Sequence, residues 1–252
     1  MAKRHLGQNF LYDPSILRRI IQLAQLNPED TVVEIGPGPG RMTIMLAERV
    51  KKVIAIEIDD KLYERLKAQL EGYKNIELIH GDALKYPYEG LPEFKVVANI
   101  PYYITTPIIF RLIELKKNLV SATMTVQKEV AERIVAKPGG KDFGVLSIMV
   151  QYYAKPSFKF IIPRNAFRPV PRVDSAVINF KILDRPFVEV KDEGLFFRII
   201  RTAFSQRRKM LSNSLKAIMP DVKEWLLRAE INPDRRPETL SIEEFARLVN
   251  IY

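Results

Sequence analysis

Asn99-Ile100-Pro101-Tyr102 is the run of this chain with the clearest chemical content. An asparagine side-chain oxygen accepts hydrogen bonds, and the backbone carbonyl of Ile100 or Pro101 can supply a second acceptor beside it. Two acceptors aimed at the N–H groups of a conjugated amine favour a more pyramidal, more nucleophilic nitrogen. The Tyr102 ring can stack on a flat heterocycle and hold it in line with an electrophile, and positioning of this kind supplies a large part of a rate. The run therefore suits the exocyclic N6 amine of adenine as nucleophile, and it requires neither a metal nor a covalent intermediate. The competing reading is an ordinary turn, because Asn and Pro are common turn residues and Tyr often packs nearby.

A second run, Val33-Glu34-Ile35-Gly36-Pro37-Gly38-Pro39-Gly40, ends a strand in a glycine-rich turn where backbone can approach a ligand closely. Its third glycine comes one place too early for a dinucleotide fingerprint, and prolines fill both gaps. The loop resembles the first motif of class I methyltransferases, which cradles the methionine part of S-adenosylmethionine. Glu57 follows Gly40 by 17 residues at the end of the next strand, where a carboxylate can accept from both hydroxyls of a ribose. Asp82, in Gly81-Asp82-Ala83, ends a third strand and can accept from an adenine amine. Taken singly, each acid could be an exposed loop carboxylate or a helix cap. Ligands of open α/β sheets gather at the carboxyl ends of the strands, where all of these residues fall.

The elements that must position them alternate along the chain. Residues 14–26 carry Ile and Leu at helical spacing after Pro14. Strands are expected over 31–36, 52–59, 75–83 and 95–103, with helices over 41–50 and 60–71 between them. That order predicts an α/β fold with a doubly wound, Rossmann-like sheet. A strand (121–126) runs into a helix (127–136), a glycine-rich loop covers 137–144, and the apolar run after it is ambiguous between helix and strand. Residues 175–183 alternate as a strand does. After the turn at Asp184-Arg185-Pro186 the pattern is mainly helical. The expected division is a catalytic, cofactor-binding domain over 1–183 and a helical domain over 184–252.

Composition narrows the chemistry. The chain has 252 residues, 40 Lys+Arg against 30 Asp+Glu, a formal net charge of +10 and no cysteine. The charge points to a polyanionic partner such as nucleic acid. Without cysteine there is no disulfide, no Cys-ligated zinc and no covalent thiolate nucleophile. The two histidines, His5 and His80, are too few for an all-histidine metal site. The opening residues lack an apolar signal-peptide region and no window approaches a membrane helix. A cytoplasmic monomer is expected.

Several segments resemble one family, the ribosomal RNA adenine N6,N6-dimethyltransferases of the small subunit. They are His5-Leu6-Gly7-Gln8-Asn9-Phe10-Leu11, the run from Asn99 to Pro107, Val126-Gln127-Lys128-Glu129-Val130-Ala131-Glu132-Arg133, Phe167-Arg168-Pro169-Val170-Pro171-Arg172-Val173-Asp174-Ser175, Ala203-Phe204-Ser205-Gln206-Arg207-Arg208-Lys209, and Arg236-Pro237-Glu238-Thr239-Leu240-Ser241. The resemblance covers almost the whole chain. It implies S-adenosylmethionine as cofactor and dimethylation of two adjacent adenines near the 3′ end of the small-subunit RNA, within an immature subunit. It also implies that Asn9 and Leu11 close over the cofactor, that Gly36, Glu57, Asp82 and Asn99 line its pocket, and that Asn99, Pro101 and Tyr102 handle the target base. Phe167 would stack on the base's other face; read from the residues alone it is core or proline-rich loop packing. Tyr103 departs from the family pattern, in which a small polar residue such as Asn often follows the motif tyrosine.

Two stretches, 143–173 and 194–220, contain no acid. They hold Arg168 and Arg172, and Arg207, Arg208 and Lys209, and such basic tracks suit phosphate contacts; solvated faces are the alternative. Lys3 and Arg4 could extend the track. The second domain would orient the enzyme on folded RNA. Competing functions are an RNA-binding ribosome-assembly factor with secondary methylation, a large-subunit RNA methyltransferase of the macrolide-resistance type, a DNA adenine methyltransferase, and a nicotinamide oxidoreductase. Glycine spacing opposes the last, and the absence of an added target-recognition domain opposes the DNA enzyme.

Overall fold

The computed structural model describes residues 8–252. Lys3, Arg4 and the His5-Leu6-Gly7 part of the first family segment lie outside the described residues. The chain forms two compact units, one made of the described residues up to Ala131 with Lys155–Ile182, the other of Glu132–Ala154 with Leu183–Tyr252.

The first unit opens with β1 (Phe10–Leu11) and α1 (Pro14–Leu23), whose first turn is capped by the Asp13 carboxylate accepting from the Ser15 N–H at 2.8 Å. The alternating region follows: β2 (Thr31–Ile35), α2 (Arg41–Ala47), β3 (Lys52–Glu57), α3 (Asp60–Leu70), β4 (Ile76–His80), β5 (Phe94–Asn99), α4 (Thr105–Glu114) and β6 (Leu119–Gln127). α5 (Lys128–Val135) crosses the boundary, and α6 (Val145–Tyr153) lies in the second unit. β7 (Ala154–Ile162), β8 (Phe167–Arg168) and β9 (Ser175–Ile182) complete the strands.

Seven strands form one sheet in the order β4-β3-β2-β5-β6-β9-β7. The pairs from β4 across to β6 are parallel, and β9 runs antiparallel to β6. β2, β3 and β5 are buried through most of their length and rich in Val and Ile, as strands covered on both faces must be. The chain leaves β2 outward to β3 and β4, then returns to place β5 on the other flank of β2. This reversal is the topological switch point, and a ligand crevice forms there at the carboxyl ends of the strands. A separate two-stranded ladder sets Phe10 opposite Arg168 and Leu11 opposite Phe167.

β7 is a strand that the periodicity does not reveal. It is the edge of the sheet, where Pro156 is tolerated and Lys155 and Lys159 stand exposed. Part of the acid-free basic stretch is therefore an edge strand protected by lysines. The ambiguous apolar run after residue 144 is the helix α6.

The second unit continues with α7 (Glu193–Ser205), α8 (Leu211–Ser214), α9 (Val222–Arg228) and α10 (Ile242–Asn250). Its core is aromatic: Tyr152 lies 4.9 Å from Phe196, and Trp225 is buried with its indole N–H donating to the Leu248 carbonyl at 3.0 Å. The expected division at residue 184 omitted residues 132–154 from this unit. They join it because α6 packs its tyrosines against α7 and the Gln151 amide donates to the carbonyls of Ile134 and Ala136. Among the described residues no helix is long and apolar enough to cross a membrane.

Candidate active site

The glycine turn after β2 sets the floor of the site. Gly36 has φ +68° and donates to the Ile56 carbonyl at 3.0 Å, so the turn is tied to the neighbouring strand. Gly38 has φ +57°, a conformation that L side chains rarely adopt, and a Cβ there would lie 2.8 Å from Phe10 Cδ1. The ring of Phe10 thus occupies the space that any side chain at 38 would need. The Gly38 N–H donates to Glu57 Oε2 at 3.3 Å, while the Asp59 N–H donates to Glu57 Oε1 at 2.9 Å. These two bonds fix the carboxylate at the end of β3. Glu57 is only 4% exposed, and burial pushes its pKa above the usual carboxylate range, with the two N–H groups opposing.

Asp82, after β4, accepts from the Leu84 N–H with Oδ1 at 2.9 Å, closing a turn on itself. Asn99 ends β5. Its amide nitrogen donates to the Asn9 carbonyl at 3.0 Å, which turns the Oδ1 acceptor the other way. The Pro101 carbonyl accepts from the Ile104 N–H at 3.2 Å and from the Thr105 hydroxyl at 3.4 Å. Both of its lone pairs are used within the chain, so of the two carbonyls expected to act beside Asn99 only that of Ile100 can serve; Pro101 shapes the turn instead. The Tyr102 hydroxyl bonds Ser175 Oγ at 2.7 Å, and burial pushes its pKa upward, so it stays protonated at neutral pH.

Gly36, Glu57, Asp82, Asn99, Pro101 and Tyr102 line one cleft with Asn9, enclosing about 690 Å³ of empty space partly open to solvent. Leu11 is not among the lining residues. Side chains alternate along a strand, so Phe10 faces this cleft while Leu11 turns into the core and borders a smaller neighbouring cavity. Strand alternation was the signal that would have chosen Phe10. Ile58, exposed beside the strand-end acid, and Tyr103 also line the cleft and had no assigned role.

Phe167 does not stand where a base stacker must. It is 0% exposed and belongs to the core cluster with Leu17, Ile20 and Val177. Pairing with Leu11 sends its ring inward and the side chain of Arg168 outward. The bland expectation for Phe167, core packing, describes its place.

The basic residues divide as well. Arg172, Arg208 and Lys209 are exposed, and Arg168 is exposed too, although its guanidinium donates to the Asn165 and Phe167 carbonyls at 2.7 and 2.8 Å. Arg207 is engaged: its guanidinium donates to the Gly140 carbonyl at 3.2 Å and the Phe143 carbonyl at 3.0 Å, and lies 3.9 Å from Glu238. It holds the 137–144 loop rather than presenting a free charge. Among the described residues no group of three His, Asp or Glu is placed to hold a metal.

The model of the family described as ribosomal RNA adenine dimethylase matches residues 1–252. The chain belongs to this family. Relatives of this dimethylase include Ribosomal RNA small subunit methyltransferase A of Moorella thermoacetica, 46% identical over 98% of this chain and 91% of that one. The protein of the same name from Clostridium botulinum is 49% identical over 97% and 92% of the two chains. Among solved structures, a dimethyladenosine transferase from Plasmodium falciparum superposes with TM-score 0.80 at 31% identity, covering 95% of each chain. The 23S rRNA methyltransferase ErmE gives 0.75 at 30% identity, covering 96% of this chain and 99% of its own.

The dimethylase is an S-adenosylmethionine-dependent methyltransferase with a Rossmann-like sheet. Its cleft fits that cofactor: the turn at Gly36 and Gly38 brings bare backbone to the cleft wall, Glu57 offers a fixed carboxylate for a diol, and Asp82 keeps an oxygen for an amine.

Proposed function

We propose that the chain dimethylates N6 of two adjacent adenines near the 3′ end of small-subunit ribosomal RNA, within an immature subunit. The observation that carries this is Asn99: its amide nitrogen is tied to the Asn9 carbonyl, so its oxygen is oriented before any substrate arrives. Similarity favours the small-subunit substrate, since relatives named for it reach 46% and 49% identity against 30% for the large-subunit enzyme.

When bound, S-adenosylmethionine supplies an electrophilic sulfonium methyl. Gly36, Gly38, Glu57 and Asp82 hold it, with Asn9 and Phe10 over the glycine turn. Asn99 Oδ1 and the Ile100 carbonyl accept from the two N–H groups of the target amine and favour its pyramidal form. Tyr102, held by Ser175, stacks on the flipped base. The methylated nitrogen is acidic and loses its extra proton to water, so the site needs no strong base. Arg168, Arg172, Arg208 and Lys209 contact phosphates, and the second unit orients the enzyme on folded RNA. The reading is of a cytoplasmic monomer that needs no metal.

The test is transfer of label from S-adenosylmethionine to unmethylated small subunits, followed by nucleoside identification. N6,N6-dimethyladenosine at adjacent adenines is expected, with a loss of about a hundredfold or more in Asn99→Ala from removal of one positioned acceptor. Label in large-subunit RNA would move the assignment to the resistance-type relatives. Tight subunit binding without transfer would favour an assembly factor.

A further inference from the structure

Tyr102 and Tyr103 are consecutive, yet they serve different halves of the cleft. Both lie in a short 3-10 turn, Tyr102–Ile104, in which successive side chains point about 120° apart. Tyr102 reaches toward the start of β9, where its hydroxyl bonds Ser175 at 2.7 Å. Tyr103 lines the cleft with Ile58, Gly81, Asp82 and Ala83. Its hydroxyl pKa is raised first by burial and then by the negative charges of Asp82 and Glu57, which places it on the side of the strand-end acids. The residue is nevertheless 49% exposed, and Ile58 in the same cleft is 46% exposed. Two large apolar surfaces therefore stand open beside the two acids that suit a nucleoside.

We infer that Tyr103 is a cofactor-binding residue whose ring covers the adenosine of S-adenosylmethionine, with Ile58 as a second apolar wall. The inference rests on the reading that Glu57 and Asp82 hold the nucleoside. A purine has a π-face at every position of its ring system, so an aromatic wall binds it whatever polar contacts its edge makes. The adenosine is common to the cofactor and to the demethylated product, so this wall binds both alike. It acts on affinity more than on the transition state.

Calorimetric titration of the full chain with S-adenosylmethionine, S-adenosylhomocysteine and 5′-methylthioadenosine tests this. Y103A is expected to raise the Kd of all three by about tenfold, the range of one aromatic stacking contact. Y103F keeps the ring and is expected to stay within about threefold of the parent for the same ligands. In turnover, the loss in Y103A falls on the KM for S-adenosylmethionine more than on kcat. Y103N serves the same purpose should Y103A yield too little folded protein. If Y103A leaves all three Kd values unchanged while Asp82→Asn raises them, the nucleoside is where we place it and Tyr103 is not its wall. If neither variant changes Kd, the nucleoside lies elsewhere and the inference fails with that reading. A Y103A defect confined to affinity for RNA would equally overturn it, because Tyr103 would then face the target base.

Discussion

Substitution at Phe167 separates packing from base recognition, because the two roles predict opposite patterns. The ring is fully buried on β8, opposite Leu11, in the cluster that holds Leu17, Ile20 and Val177. Removing a buried phenyl costs about 3–5 kcal/mol from lost transfer energy and the cavity left behind. At roughly 2–4 °C per kcal/mol for a chain of this size, Phe167→Ala should lower the melting midpoint by about 6–20 °C. Phe167→Leu retains most of the volume, and a cost of about 1–1.5 kcal/mol gives a drop of about 2–6 °C. Scanning calorimetry measures the midpoints, and single-turnover methyl transfer is followed well below both. Phe167→Leu is expected to melt early yet transfer methyl groups within about threefold of the parent rate, since leucine fills the core and no base contact is lost. The reasoning fails if Phe167→Leu melts with the parent and loses more than about tenfold in transfer, the pattern of a stacking residue.

Glu34 is 1% exposed, and the Thr43 hydroxyl is the polar group that faces it. Burial pushes its pKa from 4.5 to about 8, with the Thr43 hydroxyl opposing and the charge of Glu57 adding to the rise. A folded-state pKa above the unfolded one means that its contribution is fully present below about pH 4.5 and is lost as pH rises through about 8. The parent should therefore lose up to about 5 kcal/mol across that window relative to Glu34→Gln. Parallel melting-versus-pH curves for the two proteins would refute this. Arg207→Ala should lower stability by about 1–3 kcal/mol through the lost bonds to Gly140 and Phe143, read as an earlier urea midpoint. Arg208→Ala should leave that midpoint in place and reduce the salt dependence of RNA binding by about one unit of log–log slope. An exchange of these two phenotypes would contradict the division of the basic cluster.

The chemistry of the cleft was legible in residue order. Gly36, Glu57, Asp82 and Asn99 each close a strand, and a switch-point sheet brings consecutive strand ends together whatever the details of packing. The strands β2, β3 and β5 announce themselves as β-branched runs because burial on both faces demands them. β7 was hidden because an edge strand tolerates proline and lysine and so loses the pattern. The reach of the second unit back to residues 132–154 was hidden because it depends on which aromatic rings meet, not on local propensity.

Residue identity also carried what a group can do: an amide oxygen accepts, a carboxylate holds a diol, a guanidinium seeks an anion. It did not carry where the group points. Leu11 and Phe167 face the core together because β1 pairs with β8 in one register, and a shift of one residue would have put them on opposite faces. Arg207 is occupied by carbonyls from a loop more than 60 residues away in sequence, and its neighbour Arg208 is exposed. Tyr102 and Tyr103 part company through the geometry of a single turn. Function class follows from which groups the chain contains and in what order, whereas the role of each group follows from direction and burial, and these arise only when distant segments pack.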